Sequence, residues 1–230
     1  MKRFLLFLCA IAILYSSCSK DHVVNPKNTL FKVSLFPKIN DNAASTWQQV
    51  LNGEALLQFS ALSNDTLTAS AVKDSLSLKS ISTYTRQLVA GTYNITLKTE
   101  SKAVADTFIR FNAQAQNFVV NKDQAISLAA TTTDGVITIS ESQVMASFKP
   151  TFTLSGSTTA INFGLANGYY FIYVTGASSG RITFTSATAG DLYLTDILVN
   201  ALNQYDITAV PNTIGVVVHK HLFHLKAIVQ

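Results

Sequence analysis

The sequence predicts an all-β protein of two tandem antiparallel β-sandwich modules, and three observations carry that prediction. Apolar residues alternate with Thr, Ser and Asn at a period of two along most of the chain, as half-buried strands require. The breaks between these runs carry turn chemistry, and no strand–helix–strand rhythm points to a parallel sheet. Composition agrees: 48% of the residues are hydrophobic and only 13% are charged, about half the usual charged share. β-Branched Thr and Val suit a pleated, half-buried surface.

Residues 21–28 are polar, include Pro26 and show no period, which reads as a tether. A strand follows at about 30–36, and residues 43–51 read as a short helix or irregular loop with Trp47 as a core plug. From Glu54 the period is two, with strands at about 55–62, 76–81, 91–99, 107–112, 117–120, 125–130 and 135–140. Ser63-Asn64-Asp65, Ala90-Gly91, Asn121-Lys122-Asp123 and Asp134-Gly135 supply the turns between them. Beyond Pro150 the pattern resumes at about 151–154, 169–175, 181–185, 191–199, 205–210 and 215–229. The modules are accordingly placed at 29–145 and 146–230.

Two internal correspondences support a repeat. Gly91-Thr92-Tyr93-Asn94-Ile95-Thr96-Leu97 matches Gly168-Tyr169-Tyr170-Phe171-Ile172-Tyr173-Val174 as a turn glycine launching an alternating strand. Val120-Asn121, then Gln124 and Ile126, is echoed with a small insertion by Val199-Asn200, then Gln204 and Ile207.

Ahead of this body, Lys2 and Arg3 form a short basic region and Phe4 to Leu14 an almost unbroken apolar run, the layout of an export signal. The run is too short to span a bilayer, which takes about 20 apolar residues. Tyr15-Ser16-Ser17 then sets small residues directly before Cys18. Ser17-Cys18-Ser19-Lys20-Asp21 resembles the leader end of Bacteroidetes-type lipoproteins, with Tyr15 where an aliphatic residue is usual. The resemblance implies residues 1–17 as a cleaved lipoprotein signal peptide and 18–28 as a tether carrying lipid, palmitate included, on Cys18. Buried acyl chains contribute about 0.8 kcal/mol per CH₂, so several chains make a stable membrane anchor. Ser19 lacks the acidic residue linked to inner-membrane retention, which implies the outer membrane; exposure at the cell surface is a separate expectation, and Ser19 leaves inward or outward facing open. Cys9 lies in the apolar run and would leave with it, so a mature chain has no cysteine to pair with Cys18. Without Lys2 and Arg3 the net charge of +4 falls to +2, and the remaining basic residues are scattered, so nucleic acid is not an expected partner.

Leu88-Val89-Ala90-Gly91-Thr92-Tyr93, the alternating strand it starts, and Phe118-Val119-Val120 before a polar turn resemble fimbrillin-like and transthyretin-like modules of surface lipoproteins. The resemblance covers roughly residues 88–128 and implies adhesion, fimbrial-type assembly or glycan binding, with a glycan or protein partner and no cofactor. A surface hydrolase and a purely structural envelope protein are the competing classes.

Five groups of residues have chemistry to weigh. Gly176-Ala177-Ser178-Ser179-Gly180 satisfies the Gly-x-Ser-x-Gly pattern of a nucleophile elbow, but the elbow needs a strand, a sharp turn and a helix, whereas these residues join two strand-like runs. They read as a hairpin loop, and no catalytic residue and no enzymatic activity are expected. His219 and His221 share one strand face and are the nearest to a metal-ligand pair, but His224 falls on the opposite face, so no metal is expected. Asp191, Asp196 and Asp206 lack calcium-loop spacing and read as turn and surface acids. Tyr169, Phe171 and Tyr173 share a face and are the candidates for stacking on a glycan. Asp65-Thr66-Leu67 and Asp74-Ser75-Leu76 resemble the motif at which Bacteroidetes-type bacteria O-glycosylate exported proteins, which marks Thr66 and Ser75.

Cys18→Ser should abolish lipid attachment and leave unprocessed precursor or a differently cut form. Metabolic labelling with a fatty acid checks this, and label on the Cys18→Ser protein would refute the anchor.

Overall fold

The structure is a computed structural model that describes residues 29–35, 38–39, 53–62, 72–99, 103–126, 128–188, 190–210, 215–222 and 227–228. The leader, Cys18, the tether, Trp47, Thr66 and His224 lie outside the described residues. The first half supplies β1 (Leu30–Leu35), β2 (Lys38–Ile39), β3 (Glu54–Ala61), β4 (Val72–Ser77), β5 (Thr85–Val89), β6 (Gly91–Thr99), β7 (Ala105–Asp106), β8 (Asn112–Val120), β9 (Gln124–Ile126) and β10 (Ala129–Thr131). The second supplies β11 (Asp134–Ser140), β12 (Thr151–Leu154), β13 (Ala160–Asn162), β14 (Gly164–Ala166), β15 (Tyr169–Thr175), β16 (Ser178–Thr185), β17 (Leu192–Val199), β18 (Asn203–Ala209), β19 (Val216–Leu222) and β20 (Ala227–Ile228). The expected strand at 76–81 is instead the end of β4 running into a 3₁₀ turn, Leu78–Thr83. Residues 107–111 of the strand expected at 107–112 are irregular; β8 starts at Asn112 and runs through the strand expected at 117–120, its register against β6 shifting between Tyr93 and Ile95, with Asn117 at φ 54°.

Apart from β2 and β20, which pair with each other, these strands make two sandwiches. In the first, a five-stranded sheet, β10-β8-β6-β3-β4, closes over a three-stranded sheet, β5-β1-β9. Alternation aims Leu57, Phe59, Ile95 and Leu97 from one sheet and Val33, Leu35, Leu88 and Ile126 from the other into a shared core. In the second, a sheet ordered β14-β15-β11-β18-β19 packs on β13-β12-β16-β17, with Ile137, Ile139, Ile172 and Val174 against Phe152, Ile182 and Phe184. Pairing is antiparallel except for one parallel pair in each sandwich, β1 with β9 and β11 with β18. The arrangement is therefore repeated: β5-β1-β9 corresponds to β15-β11-β18, and β8-β6-β3 to β17-β16-β12. The echo from Val120 to Ile126 joins equivalent elements, and Gln124 and Gln204 each open their parallel pair. The other correspondence is displaced by one strand, because Gly91 starts β6 whereas Gly168 precedes β15, the counterpart of β5.

β11 lies inside the 29–145 segment assigned to the first module, yet it pairs with β15 and β18 of the second sandwich. The change of sheet falls between Thr131 and Asp134; the Pro150 break used to place the boundary only separates β11 from β12. Both β11 and β15 are buried on both faces. Ile137, Ile139, Tyr170, Ile172 and Val174 belong to the second core, while Val136, Phe171 and Tyr173 belong to the first. Strands covered on both sides read as unbroken apolar runs, and Val136–Ile139 and Tyr169–Val174 are nearly that. Backbone packing behind the wall is tight enough that a Cβ on Gly135 would sit 2.5 Å from the Asn200 carbonyl oxygen. β7, from the first half, pairs with Tyr173 and Val174 and covers the part of the β15 edge that β14 leaves open.

A buried ion pair locks this junction. Asp134 is 0% exposed and accepts hydrogen bonds at Oδ2 from the Arg110 backbone N–H (2.8 Å) and Nε (3.0 Å). Arg110 Nη2 lies 2.7 Å from Oδ1, close enough for an ion pair but outside hydrogen-bond alignment, so Oδ1 receives no hydrogen bond. The same guanidinium donates to the carbonyls of Ala103 and Val104, and Leu202 N–H donates to the Asp134 carbonyl at 2.8 Å. Burial pushes the Asp134 carboxyl above its ordinary pKa, and Arg110 opposes the rise.

Arg110→Met should destabilise the fold by about 3–5 kcal/mol at neutral pH, because it strands a buried carboxylate. A raised carboxyl pKa contributes stability that is full below the unfolded value and lost as pH rises through the folded one. Removing Arg110 raises the folded value further, so the deficit should shrink as the pH is lowered and Asp134 takes up a proton. Urea denaturation of both proteins at pH 7 and pH 4.5 checks this, and a deficit equal at both would assign the loss to packing.

Candidate functional site

The face of the β14-β15-β11-β18-β19 sheet turned away from the second core is dry only where the first core covers it. Its side chains follow from period-two geometry and register: Ser140 lies beside Tyr169, Thr138 beside Asp206, Asp206 beside His219 and Gln204 beside His221. Beyond the covered patch of Val136, Phe171 and Tyr173 the face opens into a recess of about 230 Å³, lined by Thr138, Ser140, Tyr169, Asp206, His219 and His221 among others.

Asp206 is fixed at the floor. Its Oδ1 accepts from Gln204 Nε2 at 2.8 Å and from the Thr138 hydroxyl, and its Oδ2 lies 3.3 Å from His221 Nε2. Gln204 and Thr138 are each 1% exposed, so two buried polar groups are satisfied by one carboxylate. Gln143, in the 3₁₀ turn Glu141–Gln143, accepts from Ala209 N–H at 2.9 Å and holds the far end of β18 in place. On the opposite face, Lys220 reaches over the Tyr205 ring at 6.0 Å and borders the second core.

The residues singled out in the sequence fall as follows. Tyr169, Phe171 and Tyr173 do share a face, but Phe171 and Tyr173 are 2% and 0% exposed, meet edge to face at 5.8 Å and are sealed in the first core. They are withdrawn as a stacking platform, and Tyr169 alone lines the recess. His219 and His221 lie on one face, and β18 brings Asp206 to them; among the described residues no group of three or more His, Cys, Asp or Glu is placed to hold a metal. Asp206, read from the sequence as a turn or surface acid, is instead mid-strand and half-buried; its position between Tyr205 and Ile207 was the available signal. Asp196 is a surface acid, paired with Arg181 at 2.8 Å.

Ser178 is the first residue of β16, paired with Val199, and Gly176-Ala177 make the β15–β16 turn, with Ala177 at φ 62°. A strand follows where the elbow needs a helix. Gly180 serves packing, because a Cβ there would lie 2.4 Å from Phe152 Cζ. Ser75 is exposed on β4, while the neighbouring Asp74 carboxylate accepts from Tyr84 Oη at 2.5 Å and from Arg86 Nη1 at 2.8 Å.

Asp206→Ala should cost about 1–3 kcal/mol, since it removes the carboxylate that accepts from the buried Thr138 hydroxyl and Gln204 amide. His221→Ala removes only a partly exposed contact and should cost under about 1 kcal/mol. Chemical denaturation of the two variants checks the order, and a larger loss for His221→Ala would contradict it.

No protein-family model matches the sequence, and no curated protein matches it. Among solved structures, the tip fimbrial protein Mfa3 of Porphyromonas gingivalis is similar at 8% identity and TM-score 0.39, over 85% of this chain and 99% of that one. A proposed cell adhesion protein of Bacteroides uniformis is similar at 13% identity and TM-score 0.46, over 85% of this chain and 98% of that one. Proposed polysaccharide-binding proteins of Bacteroides thetaiotaomicron are similar at 9% identity and TM-score 0.32, over 75% of this chain and 90% of that one.

Proposed function

We propose that this chain is a lipid-anchored cell-envelope protein whose two β-sandwiches form a rigid binding body for adhesion, fimbrial-type assembly or glycan capture at the cell surface. The observation that carries this reading is an open polar sheet face on a body braced by a doubly buried wall. Rigid strands set binding groups more exactly than loops do, and an open face suits an extended ligand better than a closed reaction chamber would. The leader ending at Cys18 supports the membrane side of the proposal: lipid on that cysteine and a polar stretch to residue 28 would hold the body off the bilayer. A bound partner would be a glycan or a protein. The Ser178 turn offers no support to the competing hydrolase.

Protease treatment of intact cells expressing the full chain should remove the β body and abolish adhesion of those cells to glycan- or protein-coated surfaces, relative to cells lacking the chain. Full protection from protease would place the body inside the envelope, and unchanged adhesion would end the adhesive role.

A further inference from the structure

We propose that the recess between β11, β18 and β19 is a carbohydrate subsite that takes one neutral sugar ring; the inference rests on the glycan branch of the proposed function. Its size comes first. A volume of about 230 Å³ is below the roughly 300–1,000 Å³ of pockets that enclose drug-sized ligands, so it suits one ring with the remaining chain in solvent.

The lining then selects the chemistry. Asp206 Oδ1 is taken by Thr138 and Gln204, whereas Oδ2 has only the 3.3 Å contact to His221 among the described residues. One hydroxyl of a vicinal diol can donate to Oδ2 while its neighbour accepts from an imidazole N–H of His219 or His221. The Ser140 hydroxyl can donate or accept, and the half-buried Tyr169 ring lines the side of the recess where the C–H face of a pyranose would rest. Because Thr138 and Gln204 clamp Asp206 before any ligand arrives, little ordering cost falls on binding.

Charge narrows the class further. Among the described residues Asp206 is the only carboxylate lining the recess and no Lys or Arg lines it, and Glu141 lies exposed next to Ser140. Anionic sugars therefore meet repulsion, and neutral hexoses do not.

The test uses the full chain in detergent, isotope-labelled at histidine, titrated with methyl α-mannoside, methyl α-glucoside, methyl β-galactoside and, as an anionic control, N-acetylneuraminic acid. At least one neutral glycoside should shift the His219 and His221 ring resonances saturably. N-Acetylneuraminic acid should bind at least about tenfold more weakly. His219→Ala, an exposed position, and Tyr169→Leu, which keeps an apolar contact, should each weaken binding about fivefold or more. Saturable binding that both variants leave unchanged would overturn the site while leaving the envelope reading intact. No shift with any neutral glycoside, or shifts only with N-acetyl-arginine methylamide as a stand-in for a basic protein partner, would overturn the sugar assignment; protease treatment of cells judges the envelope reading separately.

Discussion

Everything in this molecule depends on two adjacent strands that are buried on both faces over most of their length. β11 and β15 pair along their whole length, from Asp134 opposite Thr175 to Ser140 opposite Tyr169, and send alternate side chains into different cores. Pulling either sandwich away would strip Val136, Phe171 and Tyr173 of their cover at once, so the hydrophobic effect resists their separation. The Arg110–Asp134 pair stands at one end of this wall, and β7 seals its outer edge. Two sandwiches of one repeated topology thus share a layer and act as a single body.

The candidate site is a by-product of where that cover ends. The outer face of the sheet continues past the first core, and at Thr138 the pattern turns from apolar to polar without any change in backbone. Asp206 sits one strand further out, tied inward to the buried Thr138 hydroxyl and Gln204 amide. Its position is set by the same register that sets the core, which is why the floor of the recess is built from mid-strand residues and not from loops.

Alternation and turn chemistry made the all-β class and most strands legible, and the echo around Gln124 and Gln204 marked a repeat that the topology contains. What stayed hidden is non-local. Period two says that Tyr169, Phe171 and Tyr173 share a face but not what lies over it, and the cover comes from the first core, most of whose residues lie far earlier in the chain. β11 was read with the wrong half because chain order suggests neighbours that strand pairing overrides. The Gly91 and Gly168 segments looked equivalent because a turn glycine before an alternating strand begins many hairpin arms, whichever sheet receives them. Beyond its place between Tyr205 and Ile207, Asp206 gave no sign of its role, because Thr138 lies 68 residues away in sequence.

The placement of β1 has a mechanical meaning. It runs in the middle of its sheet, bonded to β5 on one side from Leu30 to Ser34 and to β9 on the other from Val33 to Leu35. A pull arriving from the chain ahead of Leu30 acts along the strand axis, so the bonds on both flanks carry the load together in shear instead of opening one after another. An edge strand peeled from its end would yield bond by bond. The element that would first feel tension from a membrane tether is therefore among those best placed to withstand it.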